Sequence, residues 1–197
     1  MIRSDLRGEL RARRRALGAA ERARLSRRIC REVLKAIGPA PRGRHVAAYV
    51  ALPEEPDLAE ALTALARRGV QLYLPRITSF RRRRLAFVSA GGERRVNRFG
   101  IAEPPPGARA RPATRLDIVL LPLVGFDAKG ARLGMGGGYY DRALAFRRHR
   151  RAWPRPRLIG IAFACQQVDA LPVAAHDVRL DAVITEHGLT RFPRSPR

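Results

Sequence analysis

The sequence predicts an α/β protein: a mostly parallel central sheet with helices on both faces, in a Rossmann-like three-layer sandwich. Three observations carry that prediction. Short apolar runs such as His45 to Ala51 (HVAAYVA) and Asp117 to Leu121 (DIVLL) have the composition of strands buried on both faces. Helical periodicity alternates with these runs, the order that βα units produce. The 197 residues, 46% hydrophobic and 29% charged, supply a core large enough for one domain over 1–197 and exclude a disordered chain.

The elements follow in order. Ser4 is placed to cap an N-terminal helical segment over 1–38, with Leu6, Leu10, Leu17, Leu25, Ile29, Val33 and Ile37 on its apolar stripe. Gly18 interrupts it and Gly38-Pro39 ends it. His45 to Ala51 is the first strand, Asp57 to Arg68 a helix stopped by Gly69, and Val70 to Leu74 a second strand closed by Pro75. The charge run Arg81 to Arg84 leads into a short strand, Leu85 to Val88. Residues 89–115, rich in Gly, Pro and Arg, read as loop or edge structure. After Asp117 to Leu121 come a glycine-rich stretch and a helix from about Tyr139 to Phe146. Arg157 to Phe163 and Ala182 to Thr185 are further strands, followed by a basic tail, 191–197.

Composition narrows the function. No apolar run reaches the roughly 18–20 residues of a membrane span. Two cysteines, Cys30 and Cys165, cannot form a disulfide framework or a four-ligand zinc site, and they fit a reducing, cytoplasmic setting. Met1 to Arg15 has no apolar secretory core. The formal charge is +23, and only Lys35 and Lys129 of the 40 basic residues are lysine. That excess suits a nucleic-acid surface, and equally an ordinary solvated surface rich in arginine. Its distribution favours the second: 1–44 carries +10 and 81–115 carries +8, whereas 116–146 is neutral. No helix-turn-helix, zinc-finger or RRM pattern accompanies it.

The neutral stretch holds the strongest chemical signal. Gly130 to Asp141 reads GARLGMGGGYYD. Gly134, Gly136, Gly137 and Gly138 let backbone N–H groups turn inward as a concave anion nest, with Met135 among them. The helix starting near Tyr139 would aim its positive end at the bound group. Arg132 adds a cation at the entrance, and Asp141 lies where a carboxylate meets a magnesium ion on phosphates. The stretch matches neither the Walker pattern nor GxGxxG, so from composition a flexible turn with Asp141 as a helix cap stays open.

The run LLPLVGFDAKGARLGMGGGYYDRAL (Leu120 to Leu144) resembles the signature of the 5-formyltetrahydrofolate cyclo-ligase family. Five further blocks fall in family order: DLRGELRARRRAL (Asp5 to Leu17), ALPEEPDL (Ala51 to Leu58), YLPRI (Tyr73 to Ile77), NRFGIAEP (Asn97 to Pro104), and the closing GIAFACQQVDALPVAAHDVRLDAVIT. The resemblance implies ATP- and magnesium-dependent closure of 5-formyltetrahydrofolate to 5,10-methenyltetrahydrofolate, releasing ADP and phosphate through a phosphorylated formyl (imino-phosphate) intermediate. It implies a triphosphate cradle of Arg132 and Gly134 to Gly138, paired aromatics Tyr139 and Tyr140, and metal carboxylates Asp141 and Asp177. Arg3 and Arg7, one helical turn apart, match basic residues that reach the nucleotide. Leu52, Glu55, Glu103 and Tyr140 match the folate side, and Arg132, Tyr140 and Asp141 the catalytic group. The partner implied is a small molecule, with or without a polyglutamate tail, met by a monomer or weak homodimer, with neither membrane nor nucleic acid. The other readings are a basic nucleic-acid-associated protein and a folate- or nucleotide-binding relative without turnover.

Overall fold

A computed structural model describes residues 2–39, 43–97, 100–148 and 155–193. Position 1, positions 40–42, 98–99 of the NRFGIAEP block, 149–154 and 194–197 of the basic tail lie outside the described residues.

Two helices open the chain, α1 (Arg3–Ala16) and α2 (Ala19–Ile37), broken at Gly18 as the sequence predicts. Then follow β1 (His45–Ala47), α3 (Ala59–Arg67), β2 (Gln71–Ser79), β3 (Arg84–Ser89), β4 (Arg95–Val96), β5 (Ala102–Glu103) and β6 (Ala110–Arg111). The second half holds β7 (Ile118–Pro122), β8 (Gly125–Asp127), β9 (Arg132–Leu133), α4 (Tyr139–Ala143), β10 (Arg157–Ile161), β11 (Gln167–Val168), β12 (Ala182–Thr185) and β13 (Gly188–Arg191).

The main sheet runs β13-β12-β10-β7-β1-β2-β3-β6. Its five central strands are parallel, and their spatial order relative to the chain is 2-1-3-4-5. That order reverses direction between β1 and β7, where doubly wound sheets hold ligands beyond the strand carboxyl ends. Alternation sorts the core. Val46, Ile118, Leu120, Ile159, Ile161 and Ile184 face α2 and α3, packing on Ile29, Val33, Ala61 and Leu65. Ala47, Val119, Leu121, Leu158 and Val183 face the other way, onto Leu144, Val178, Leu180 and Phe192. The second layer is thus built from α4, the 3-10 turn Ala145–Arg148 and coil rather than long helices.

A third cluster sets α1 apart. Leu6 and Leu10 pack on Val124, Ala131, Leu133 and Leu171, so α1 covers the small sheet β11-β8-β9 and not the main one. Asp127, 3% exposed, folds that small sheet: its carboxylate accepts N–H groups of Lys129, Ala131 and Leu171. Gln166 bridges the ends of two central strands. Its amide donates to the carbonyls of Leu123 and Val124 at 2.7 and 3.1 Å while its Oε1 accepts from Phe163 N at 2.8 Å.

Four local expectations change. Ser4 does not cap α1: the N-cap position is Ile2, and the Ser4 hydroxyl donates to Asp5 instead. β2 runs through Pro75 because β1 pairs only as far as Tyr73; beyond it β2 is bonded on one side, and proline there removes no ladder bond. β1 is three residues long, and the predicted helix 139–146 divides into α4 and the 3-10 turn.

Candidate active site

The glycine loop follows β9 and meets three other segments. Gly136 and Gly138 sit at φ +91° and +66°, the left-handed region that a side chain resists. Their alternation with ordinary backbone curls the loop. Arginines engage it by its carbonyls: Arg7 Nε donates to Gly134 O at 2.8 Å, and Arg83 Nη1 to Gly137 O at 3.5 Å. A trans peptide sets each carbonyl antiparallel to the next N–H. The N–H groups of Met135 and Gly138 therefore point away from those guanidinium groups. A Cβ on Gly136 would lie 3.4 Å from the Arg7 Cζ, so the loop rests directly on that side chain. Met135 is 53% exposed. α4 has five residues, too short for its dipole to add much at the loop.

Arg132 lies beneath the loop, not at an entrance. Its residue is 7% exposed; Nη2 donates to Asp141 Oδ1 at 2.5 Å and Nε to the Val178 carbonyl at 3.1 Å. Val178 N returns a bond to the same Asp141 oxygen at 3.3 Å. This closed set replaces the helix-cap reading of Asp141 and brings Asp177, the residue before Val178, alongside. Asp177 Oδ2 receives Arg3 Nη2 at 3.0 Å and Ala174 N at 2.8 Å. Arg3, Arg7, Arg132, Asp141, Asp177 and the loop thus converge from α1, β9, α4 and the 174–178 turn.

Tyr140 points into the apolar layer, its ring centroid 6.5 Å from that of Phe87. Burial pushes its phenol far up, with the Glu55 charge adding to that, so the hydroxyl stays a donor. The Tyr139 ring lies against Gly137, where a Cβ would meet it at 2.8 Å. Glu55 occupies the turn after β1, 9% exposed, and its Oε2 accepts Leu52 N at 3.0 Å. Burial raises its carboxyl; the Leu52 bond and the Arg14 charge oppose that. Leu52 and Glu55 stand at the carboxyl end of β1, on the other side of the switch point from the loop that follows β7.

Glu103 is not drawn into this group. Its Oε2 accepts Ile77 N at 3.2 Å and Asn97 Nδ2 at 3.1 Å, tying β5 to β2. Two arginines that touch these segments, Arg83 on the loop and Arg14 on Glu54, are not evident from sequence. Arg83 stands in the Arg81 to Arg84 charge run, which gives no sign of reaching Gly137. Arg14 occupies the apolar stripe of Leu6, Leu10 and Leu17, and an arginine at a stripe position was the available clue.

The fold and the loop define a class: a doubly wound α/β protein whose glycine-rich loop after β9 is backed by Arg7 and Arg83. Comparison with known proteins gives the family. The model of the 5-formyltetrahydrofolate cyclo-ligase family matches residues 2–186. The Escherichia coli (strain K12) protein named 5-formyltetrahydrofolate cyclo-ligase is 35% identical over 179 residues, 89% of this chain and 96% of its own. Its Haemophilus influenzae namesake is 33% identical over 181 residues, covering 90% and 94%. The solved Aquifex aeolicus 5,10-methenyltetrahydrofolate synthetase superposes with a TM-score of 0.81 at 28% identity, covering 100% of this chain and 96% of that one. The Mycoplasma pneumoniae synthetase gives 0.75 at 26%, covering 94% and 99%. The chain belongs to the 5-formyltetrahydrofolate cyclo-ligase family.

Proposed function

We propose that this chain, as one domain, is an enzyme closing 5-formyltetrahydrofolate to 5,10-methenyltetrahydrofolate at the expense of ATP. The observation that carries the reading is the convergence of Arg3, Arg7 and the Gly134–Gly138 nest on one side of the switch point, with Leu52 and Glu55 on the other. A triphosphate suits the first set and a folate the second.

The residues fit a nucleotide with its magnesium ion. Among the described residues no group of three or more His, Cys, Asp or Glu could hold a metal by itself. Magnesium, however, is commonly held by one or two carboxylates together with substrate phosphates. Asp141 and Asp177 would supply these, and the Arg132 and Val178 bonds to Asp141 both fall on Oδ1. When bound, the ion neutralises phosphate charge.

The remaining work falls to the chain. Phosphoryl transfer asks a protein chiefly for position and charge. The nest N–H groups hold phosphate oxygens, and Arg7 and Arg3 fix the loop and the 174–178 turn from α1. The folate formyl oxygen attacks the γ-phosphorus and ADP leaves; N10 then attacks the activated carbon, and phosphate departs with that oxygen and the N10 proton. Arg132 acts as a positioning residue that holds Asp141. Tyr140, protonated at working pH, donates a hydrogen bond on the folate side, and Glu55 accepts one. Neither Cys30 nor Cys165 is a nucleophile here, because burial raises both thiols. A cytoplasmic location accords with the free cysteines; among the described residues no helix is long and apolar enough to cross a membrane.

The test is appearance of the methenyl chromophore from 5-formyltetrahydrofolate with ATP, with and without magnesium. Turnover that requires both is expected. A purified, folded chain that forms no chromophore overturns the proposal.

A further inference from the structure

Arg14 is the largest fully buried side chain among the described residues, 2% exposed. A guanidinium stays charged in any protein environment, so its burial must be compensated by partners. The structure gives it one: Nη2 donates to Glu54 Oε2 at 3.3 Å, long for a charge-assisted bond. Its Nε and Nη1 are buried and have no hydrogen-bond partner among the described residues. Leaving such donors unmet costs free energy that an apolar side chain in the same place would not. No packing requirement of α1 asks for it.

Its position says what the donors serve. Arg3, Arg7, Leu10 and Arg14 lie on one face of α1, and Arg3 and Arg7 serve the nucleotide side. Arg14 is about 10 Å further along the axis. There α1 packs on the turn Ala164–Gln166 beyond β10. On its other flank is Glu54, in the loop that carries Leu52 and Glu55 beyond β1. The guanidinium therefore lies at the carboxyl edge of the sheet, beside the folate side of the site and away from the phosphate side.

We propose that Arg14 is a substrate-binding residue whose unpartnered buried donors are met by an oxygen of the bound folate. This rests on the folate reading given above. Arg14 also supplies charge toward Glu55, which keeps that carboxyl from rising further.

Calorimetric binding separates the possibilities, with 5-formyltetrahydrofolate and ATP titrated in turn into wild type, R14M, R14K and E54Q. R14M is expected to melt no lower than wild type, since an under-bonded buried charge is replaced by an apolar chain of similar length. Its folate affinity falls by about tenfold or more, the worth of a charge-assisted hydrogen bond, while ATP affinity stays within about twofold. R14K keeps the charge without the planar fork and lies between. E54Q binds folate as tightly as wild type or tighter, because Glu54 competes for the same guanidinium. Repeating the R14M comparison with 5-formyltetrahydropteroate assigns the oxygen: a retained effect places it on the pterin, an abolished one on the glutamate.

Should R14M not fold, R14K carries the test alone. Folded R14M or R14K with undiminished folate affinity overturns the inference, as does a loss confined to ATP. If wild type binds no 5-formyltetrahydrofolate, the inference and the reading of the site fall together. If wild type binds and converts it while R14M binds it equally well, only the inference falls.

Discussion

Glu55 carries a pH signature whose sign can be worked out. Burial holds its folded pKa above the ordinary value of 4.5, so between those two values the folded state binds the proton more tightly than the unfolded one. Stability is therefore lost as pH rises from about 4.5 through the folded pKa, and stays lost above it. E55Q removes that loss. Thermal melts across pH are expected to show it at or above wild type near neutrality, with the gap closing below about pH 4.5, while folate turnover drops. A neutral-pH melt well below wild type would refute this. At Asp141 the amide substitution is expected to destabilise instead. In D141N the Arg132 side chain, 4% exposed, loses its ion-pair partner. The cost is expected at about 2–3 kcal/mol in denaturant unfolding, less than for a fully buried pair because Asp141 keeps some solvent contact. Arg132 was legible in the sequence as a cation near glycines. Its burial was not, because that depends on Val178, contributed by a distant turn. The Glu54 contact of Arg14 was illegible for the same reason: it spans 40 positions of chain.

Among the elements, the glycine loop invites a contrast within itself. Gly136 and Gly138 have left-handed backbone, whereas Gly134 does not, and a Cβ there would meet nothing within 4 Å. G136A and G138A are each expected to cost about 1–2 kcal/mol and to raise KM for ATP, while G134A stays near wild type in both. Equal effects at all three positions would remove the nest as the explanation. α1 offers a second comparison. Leu10 is fully buried against the small sheet, so L10A should cost about 2–5 kcal/mol in unfolding experiments. The large elements were legible because buried strands and an amphipathic helix leave apolar patterns: Ala182–Thr185 appears as predicted, and the Gly18 break too. β8, β9 and β11 were not, since strands of two or three residues are too short to show a period. Pro75 misled because a proline ends a strand only where its N–H is wanted.

At the scale of the whole molecule the arginine excess separates into two parts. Some of it is consumed in pairs such as Arg13 with Glu9 and Arg24 with Glu21, each worth little at a solvated surface. The remainder leaves the molecule a net positive charge, which draws anions toward it. KM for 5-formyltetrahydrofolate is expected to rise as salt is raised from low to physiological, with kcat nearly constant; a KM indifferent to salt contradicts steering. The attachment of α1 has a further consequence. That helix is fastened to the rest by a small apolar cluster and by Arg3 and Arg7, which grip the two segments a nucleotide would touch. Whatever binds between them adds its own binding energy to the docking of α1, in proportion to its saturation. Amide exchange in α1 should slow on adding ATP while α2, locked into the main core, exchanges as before. While it is bound, the substrate is a strut of the protein as well as its reagent.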